Sequence, residues 1–306
     1  MELDGSLTIN QHFRWSNKNR PVMDVNEGEL FSIRIPDSST GQILRSFSLE
    51  DLNKIDSSKY DAGIGPIRIK GAEPGDTIEV NIIDIKTWNW GWTAIMNNFG
   101  LLKNEYQEKL VIWKIENGFA KPERGFSRSV EVKIEPFLGV IGTAPENGEF
   151  GMIPPQTFGG NMDNKLNRKD SRIFLPVNVE GGLLSFSDPH AAQGDGEVCG
   201  TAIETGAEVT AMVKVHKTLK IRSPMTVGSE KCTANYIATT GIDPDLVEAS
   251  KKAVRNMVEY LKSLGFNEEE GYILSSVAGN LRISEIVDEP NFVVSMLMDN
   301  DIFKNL

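Results

Sequence analysis

At 306 residues, with 40% hydrophobic and 25% charged residues, the chain has the make-up of a soluble globular protein with room for a sizeable core. A net charge of -11 argues against nucleic acid as a partner, and no run approaches the roughly 18 apolar residues of a spanning helix. Two cysteines, Cys199 and Cys232, are too few for a disulfide framework; with an acidic amino terminus that lacks an apolar leader, they point to a cytoplasmic location.

Taken in chain order, most of the first 240 residues read as strands and turns. Ala72-Glu73-Pro74-Gly75-Asp76 is a turn, since Pro fixes φ at one central position and Gly admits positive φ at the next. Thr77 to Lys86 sets Ile78, Val80 and Ile82 against Thr77, Glu79 and Asn81, the period-2 pattern of a half-buried strand. Trp88, Trp90 and Trp92 share one face if that region is extended, as a pocket wall, a subunit contact or ordinary core. Val130 to Ile134 and Glu208 to His216 alternate in the same way, which turns His216 outward beside Lys214 to solvent. His12 has no assigned place.

The last quarter changes period. Asp243 is the expected helix cap, with Pro244 in the first turn, and Leu246, Ala249, Ala253, Met257, Leu261 and Leu264 recur at helical spacing before Gly265. A second helix is expected from Glu268 to about Val277. The predicted fold is mostly β with a C-terminal helical pair (α+β) and a sandwich- or barrel-like body. It forms a single domain over residues 1–306, β-rich to about 240 and helical over about 243–280.

Chemistry concentrates in residues 188–197, Asp-Pro-His-Ala-Ala-Gln-Gly-Asp-Gly-Glu. Asp, His and Glu together are divalent-cation ligands, and Asp188 and His190, two apart, project from one face of an extended backbone. The bland reading, an acidic surface loop, leaves the apolar flanks Leu183-Leu184 and Val198-Cys199 unexplained. Gly159-Gly160-Asn161-Met162-Asp163 is either a second ligand-bearing turn or a simple Asx-turn. Glu204 stands in a small, apolar stretch where an unpaired carboxylate is costly, unless it is merely a strand end in solvent. Cys199 reads as a small buried hydrophobe more readily than as a nucleophile. Dinucleotide, phosphate-loop and Gly-x-Ser-x-Gly motifs are absent.

The run Ser187-Asp188-Pro189-His190-Ala191-Ala192-Gln193-Gly194-Asp195-Gly196-Glu197-Val198-Cys199-Gly200, together with Gly159 to Asp163, resembles the acetamidase/formamidase family. Supporting segments are Gly65-Pro66-Ile67, Gly71 to Asp76, Pro136 to Gly142 and Leu175-Pro176-Val177, in the family's order from about Trp15 to the C-terminal helices. Two departures stand out: Ser187 where a glycine is usual, and Asp61-Ala62-Gly63-Ile64 in place of an Asn/His-Pro-Val-Thr run. The resemblance implies hydrolysis of a short aliphatic amide to carboxylate and ammonia, a mostly-β fold, a bound divalent metal and a homo-oligomer.

On this reading Asp163, Asp188 and His190 hold the metal, with Glu204 as fourth ligand. Zinc is the first choice because a histidine is present, with calcium as the alternative. Glu197 acts as general base on the attacking water, Asn161 and Gln193 bind the substrate amide, and Asp195 orients His190. The rival readings are a cyclic-amide (lactam) hydrolase on the same site, a Cys199 nucleophile, and a non-catalytic metal or small-molecule binding protein.

Overall fold

The computed structural model describes residues 1–228 and 235–303; Cys232 lies outside the described residues. Among them the strands form a nine-stranded sheet, an eleven-stranded sheet and a two-stranded pair. In the first sheet Thr77–Thr87 lies between Ala207–His216 and Arg172–Pro176, all antiparallel. In the second, Leu184–Ala192 lies between Phe137–Gly142 and Ile203–Glu204. Phe31, Ile33, Val80 and Val209 of one sheet meet Ile67, Leu138, Ile141 and Phe186 of the other in one buried core. Both sheets remain open among the described residues, so the body is a sandwich and not a barrel.

The alternating strands form for the expected reason, with two corrections. Ile78, Val80 and Ile82 are buried, but so are Thr77 and Glu79 on the opposite face. Burial of Glu79 is offset by His216, whose Nε2 lies 2.7 Å from its carboxylate, so His216 is a half-buried partner and not a solvated side chain. Residues 130–134 contribute only Val132–Lys133, a short pair at the rim of the second sheet. Trp90 and Trp92 share one face of the strand Trp90–Ile95 and pack in one apolar cluster, as ordinary core, while Trp88 precedes the strand and stacks on Trp90.

The two helices, Leu246–Ser263 and Glu268–Ala278, cover the outer face of the first sheet. Ala249, Ala253, Met257 and Leu261 bury, as the spacing requires. The cap is Asp245, not Asp243: its carboxylate accepts from the Val247 and Glu248 amides. Asp243 ends the preceding strand, Tyr236–Asp243, and its side chain accepts from the Asp245 amide across Pro244.

Where the first helix crosses that strand the backbones nearly touch. A Cβ on Gly241 would sit 2.0 Å from the Ala249 carbonyl oxygen and 2.5 Å from the Ala253 nitrogen. Gly241→Ala is therefore expected to destabilise the protein by about 1–3 kcal/mol, read as a lower denaturant midpoint at unchanged slope. A midpoint equal to that of the parent would contradict this packing.

Beyond the helices lie two strands that the sequence reading does not contain, Gly279–Glu285 and Phe292–Asp299, paired antiparallel at the edge of the first sheet. The connection between them turns back toward the second sheet and carries residues to the site.

Candidate active site

His190 sits toward the end of Leu184–Ala192, with Phe137 opposite on one neighbouring strand and Glu204 opposite on the other. This cross-strand register brings Glu204 Oε2 to 3.2 Å from His190 Nε2. Asp188, two residues back on the same strand, places Oδ2 at 2.9 Å from that nitrogen. Asp188 faces the position of Gly139 on the adjoining strand, where a Cβ would lie 2.5 Å from Asp188 Oδ2 and 2.4 Å from Asp163 Oδ1. Only glycine leaves room there for both carboxylates. The Gly139 carbonyl also accepts from the Met162 and Asp163 amides, which pins the turn after Gly159–Asn161 against the site.

Glu197 follows Gly196 in the loop after the strand and is buried with Asp163 and His190. Four of the acids hold positive φ: Asp61 at 51°, Asp163 at 40°, Asp188 at 52° and Glu197 at 46°. Each costs on the order of 1–3 kcal/mol, strain that persists only where the surroundings impose it.

The structure adds four acids to those expected. Asp37 accepts from Trp92 Nε1 at 3.2 Å and from Ser39. Asp61, in the segment that departs from the family pattern, is buried nearby and feels the charge of Glu204. Glu285 accepts from the Val287 and Asp288 amides, and Asp288 accepts from Asn161 Nδ2 at 2.8 Å. All are buried, and no lysine or arginine among the described residues is buried with them. In sequence Glu285 is hidden because its strand is inverted: Leu281 and Ile283 face outward while Ser284 and Glu285 turn in. The one legible signal is Asp37 and Asp288 following Ile35 and Val287, acids at the ends of apolar runs.

Two sequence roles change. Asp195 does not touch His190; it is partly exposed and ion-paired to Lys165 at 3.1 Å and Arg282 at 2.9 Å. The orienting partner is Gln193, whose Oε1 lies 2.8 Å from His190 Nδ1 while its Nε2 donates to the Asp163 carbonyl at 2.8 Å. Each end of that amide thus makes one hydrogen bond within the protein. Its oxygen faces Nδ1, so Nδ1 carries a proton, and Nε2 is the nitrogen turned toward Asp188 and Glu204.

Electrostatics follow from crowding acids in a dry place. Burial pushes Asp61, Asp188 and Glu197 well above the usual carboxylate range and Glu285 up to about 8. Burial also disfavours charged His190, but the Asp188 and Glu204 carboxylates outweigh it and raise the ring well above its ordinary value. Glu204 is the exception. Burial raises it, yet His190, with hydrogen bonds from Ser38 Oγ and the Ala202 amide, brings it down to about 2.

These residues fit a divalent cation. His190 Nε2, Asp188 Oδ1, Asp163 Oδ1 and Asn161 Oδ1 are buried without a well-aligned hydrogen-bond partner, and such orphans are costly unless something else satisfies them. The ligand atoms of Asp188, His190 and Glu204 lie within 4.8 Å of one another, as do those of Asp163, His190 and Glu197. The first set is the better fit, because Nδ1 is committed to Gln193 while Nε2 faces Asp188 and Glu204. A surface depression of about 1420 Å³ along the helix Leu246–Ser263 is lined by none of these acids. The acid cluster is therefore read as the chemical centre and the groove is not.

Comparison with known proteins agrees with this architecture. The family model "Acetamidase/Formamidase family" matches residues 6–150 and 147–305. The chain is 28% identical to a formamidase of Methylophilus methylotrophus, covering 99% of this chain and 91% of that protein. The crystal structure of an acetamidase from Bacillus halodurans superposes with a TM-score of 0.90 at 28% identity, covering 100% of this chain and 99% of that one. A gamma lactamase from Delftia acidovorans follows at a TM-score of 0.70 and 25% identity, covering 98% and 91%. The chain belongs to the acetamidase/formamidase family.

Proposed function

We propose that this chain hydrolyses short aliphatic amides such as formamide and acetamide, with a divalent cation held by Asp188, His190 and Glu204 and with Glu197 as general base. Family membership makes it a hydrolase of linear amide C–N bonds. The observation that carries the rest is His190: Gln193 fixes its tautomer and leaves Nε2 without a partner among carboxylates. Zinc suits a site with one imidazole and two carboxylates. When bound, the cation lowers the pKa of water and polarises the amide carbonyl.

The protein's own residues supply the remainder. Glu197, whose affinity for protons burial has raised, takes a proton from water as its oxygen attacks the carbonyl carbon. The same carboxyl then returns that proton to nitrogen, the C–N bond breaks, and ammonia leaves with the carboxylic acid left behind. An amide requires this proton, because its anion is too poor a leaving group. Asn161 Nδ2 is held by Asp288, which leaves the unpartnered Oδ1 to accept an N–H from a primary amide. Asp163 lies against Glu197 and His190 and completes the charged wall.

The test is ammonia release from formamide, acetamide and a small lactam, before and after chelation and after zinc is restored. Release from the linear amides that disappears with the metal and returns with it supports the proposal. Activity indifferent to complete metal removal overturns the cation's role. The likeness to a gamma lactamase favours a cyclic amide as the second reading, and faster lactam turnover would select it.

Cys199 is expected to be dispensable. Its thiol donates to the Thr201 carbonyl at 3.2 Å, an ordinary structural bond. Cys199→Ser should keep kcat within about twofold of the parent; loss of activity in a folded variant would revive the nucleophile.

The site draws acids from Asp37 to Asp288, which supports one domain over the whole chain. A homo-oligomer is supported by exposed Tyr272, Ile273, Val277 and Leu281 on the second helix and edge strand. No helix among the described residues is long and apolar enough to cross a membrane. A cytoplasmic setting suits the free thiol of Cys199.

A further inference from the structure

We infer that Arg282 and Asp195 form a latch that holds the Glu197 loop in its working conformation, making Arg282 a positioning residue for the proposed amide hydrolysis. The inference rests on Glu197 being the base. Gly196 and Glu197 both sit at positive φ, 89° and 46°, in a tight turn. A glutamate is disfavoured there, so the loop, if released, would relax and turn its carboxylate away from Asp163 and His190.

What opposes relaxation is the edge strand Gly279–Glu285. The Gly196 amide donates to the Ser284 carbonyl at 3.0 Å, and the Ile286 amide donates to the Gly196 carbonyl at 3.3 Å. One residue before Gly196, Asp195 pairs with Arg282 Nε through one oxygen and with Lys165 Nζ through the other. Lys165 is two residues from Asp163, Asp195 two from Glu197, and Arg282 three from Glu285. A single partly exposed carboxylate thus ties together three of the segments that deliver acids to the site, those of Asp163, Glu197 and Glu285. The pairs sit outside the buried centre, where they align the loop without adding charge among the ligands. Exposed pairs of this kind contribute little to global stability, so removing them should loosen the loop and leave the fold intact.

The experiment uses the purified, zinc-loaded protein with acetamide as substrate, and variants Arg282→Ala, Arg282→Lys, Asp195→Asn and the Arg282→Ala/Asp195→Asn double. Expected are a fall in kcat of about tenfold to a hundredfold in each alanine or asparagine variant, with KM within about twofold of the parent. Zinc content and Tm should be unchanged, Arg282→Lys should recover most of the rate, and the double variant should be no worse than either single. Hydrogen exchange supplies a readout that needs no turnover: amides of 194–198 should exchange faster in Arg282→Ala while those of Thr77–Thr87 do not. Parental kcat in Arg282→Ala, or losses that track Tm and that lysine does not repair, overturns the latch. An inactive parent overturns the amide reading, and the exchange result then decides the latch alone: unchanged protection at 194–198 refutes it.

Discussion

Glu197→Gln is expected to lower kcat by about 10²–10⁴-fold, the usual contribution of a general base, while the variant keeps its cation and its fold. Glutamine is nearly isosteric and retains hydrogen-bonding capacity, but it can neither take a proton from water nor return one to nitrogen. The residues proposed to hold the cation, Asp188, His190 and Glu204, lie on strands that do not include Glu197. Steady-state kinetics with metal analysis of the same sample decides the matter. Lost turnover with full metal content supports the assigned role, and lost metal with proportionally lost turnover makes Glu197 a ligand. Near-parental turnover removes it from the mechanism.

Stripping the cation is expected to destabilise the protein, and more so as pH rises. In the metal-free fold Asp61, Asp188 and Glu197 keep protons well above their ordinary range, and Glu285 does so up to about 8, whereas the unfolded chain releases them near 4. His190 is likewise raised above its unfolded value. In every case the folded state binds more protons than the unfolded one. Stability from these groups is therefore greatest in mild acid and is lost as pH climbs through the folded values. Glu204 has the opposite sign, but its window lies between about 2 and its ordinary value, below the range of interest.

Cation binding runs the other way, since its ligands must be deprotonated and affinity grows with pH. The gap in Tm between loaded and chelated protein should widen by several degrees between about pH 5 and pH 8. Thermal unfolding across that range with and without chelator measures it. A gap that is constant, or that narrows toward pH 8, would mean that the acids are not discharged by a cation.

The residues that group around His190 were legible where ligand chemistry and local order coincide. Asp188 and His190 are two apart on one strand, and the strand turns both to one side, as period 2 requires. Glu197 comes within reach because Gly196 beside it permits a tight turn, and Asp163 because Gly159 and Gly160 open the segment that leads to it. Helical spacing likewise located the face built on Ala249, Ala253, Met257 and Leu261, because one apolar stripe must bury against the sheet. Such features depend on neighbours in the chain, and sequence alone determined them.

Tertiary structure decided what depends on strands that meet from far apart. Asp37 and Asp61 reach the Glu204 side, and Glu285 and Asp288 reach the Asp163 side, from the two ends of the chain. Beyond the apolar runs that end at Asp37 and Asp288, no local pattern marks them, because a carboxylate is buried or solvated according to what covers it. The fate of Gln193 and Asp195 shows the same limit: both are polar loop residues near one histidine in sequence. Which one touches His190 was fixed by the Asp163 carbonyl and by Arg282 and Lys165, each more than 25 residues away. Identity of side chains determined the chemistry available, and long-range packing determined which of them share a dry, crowded space where that chemistry has force.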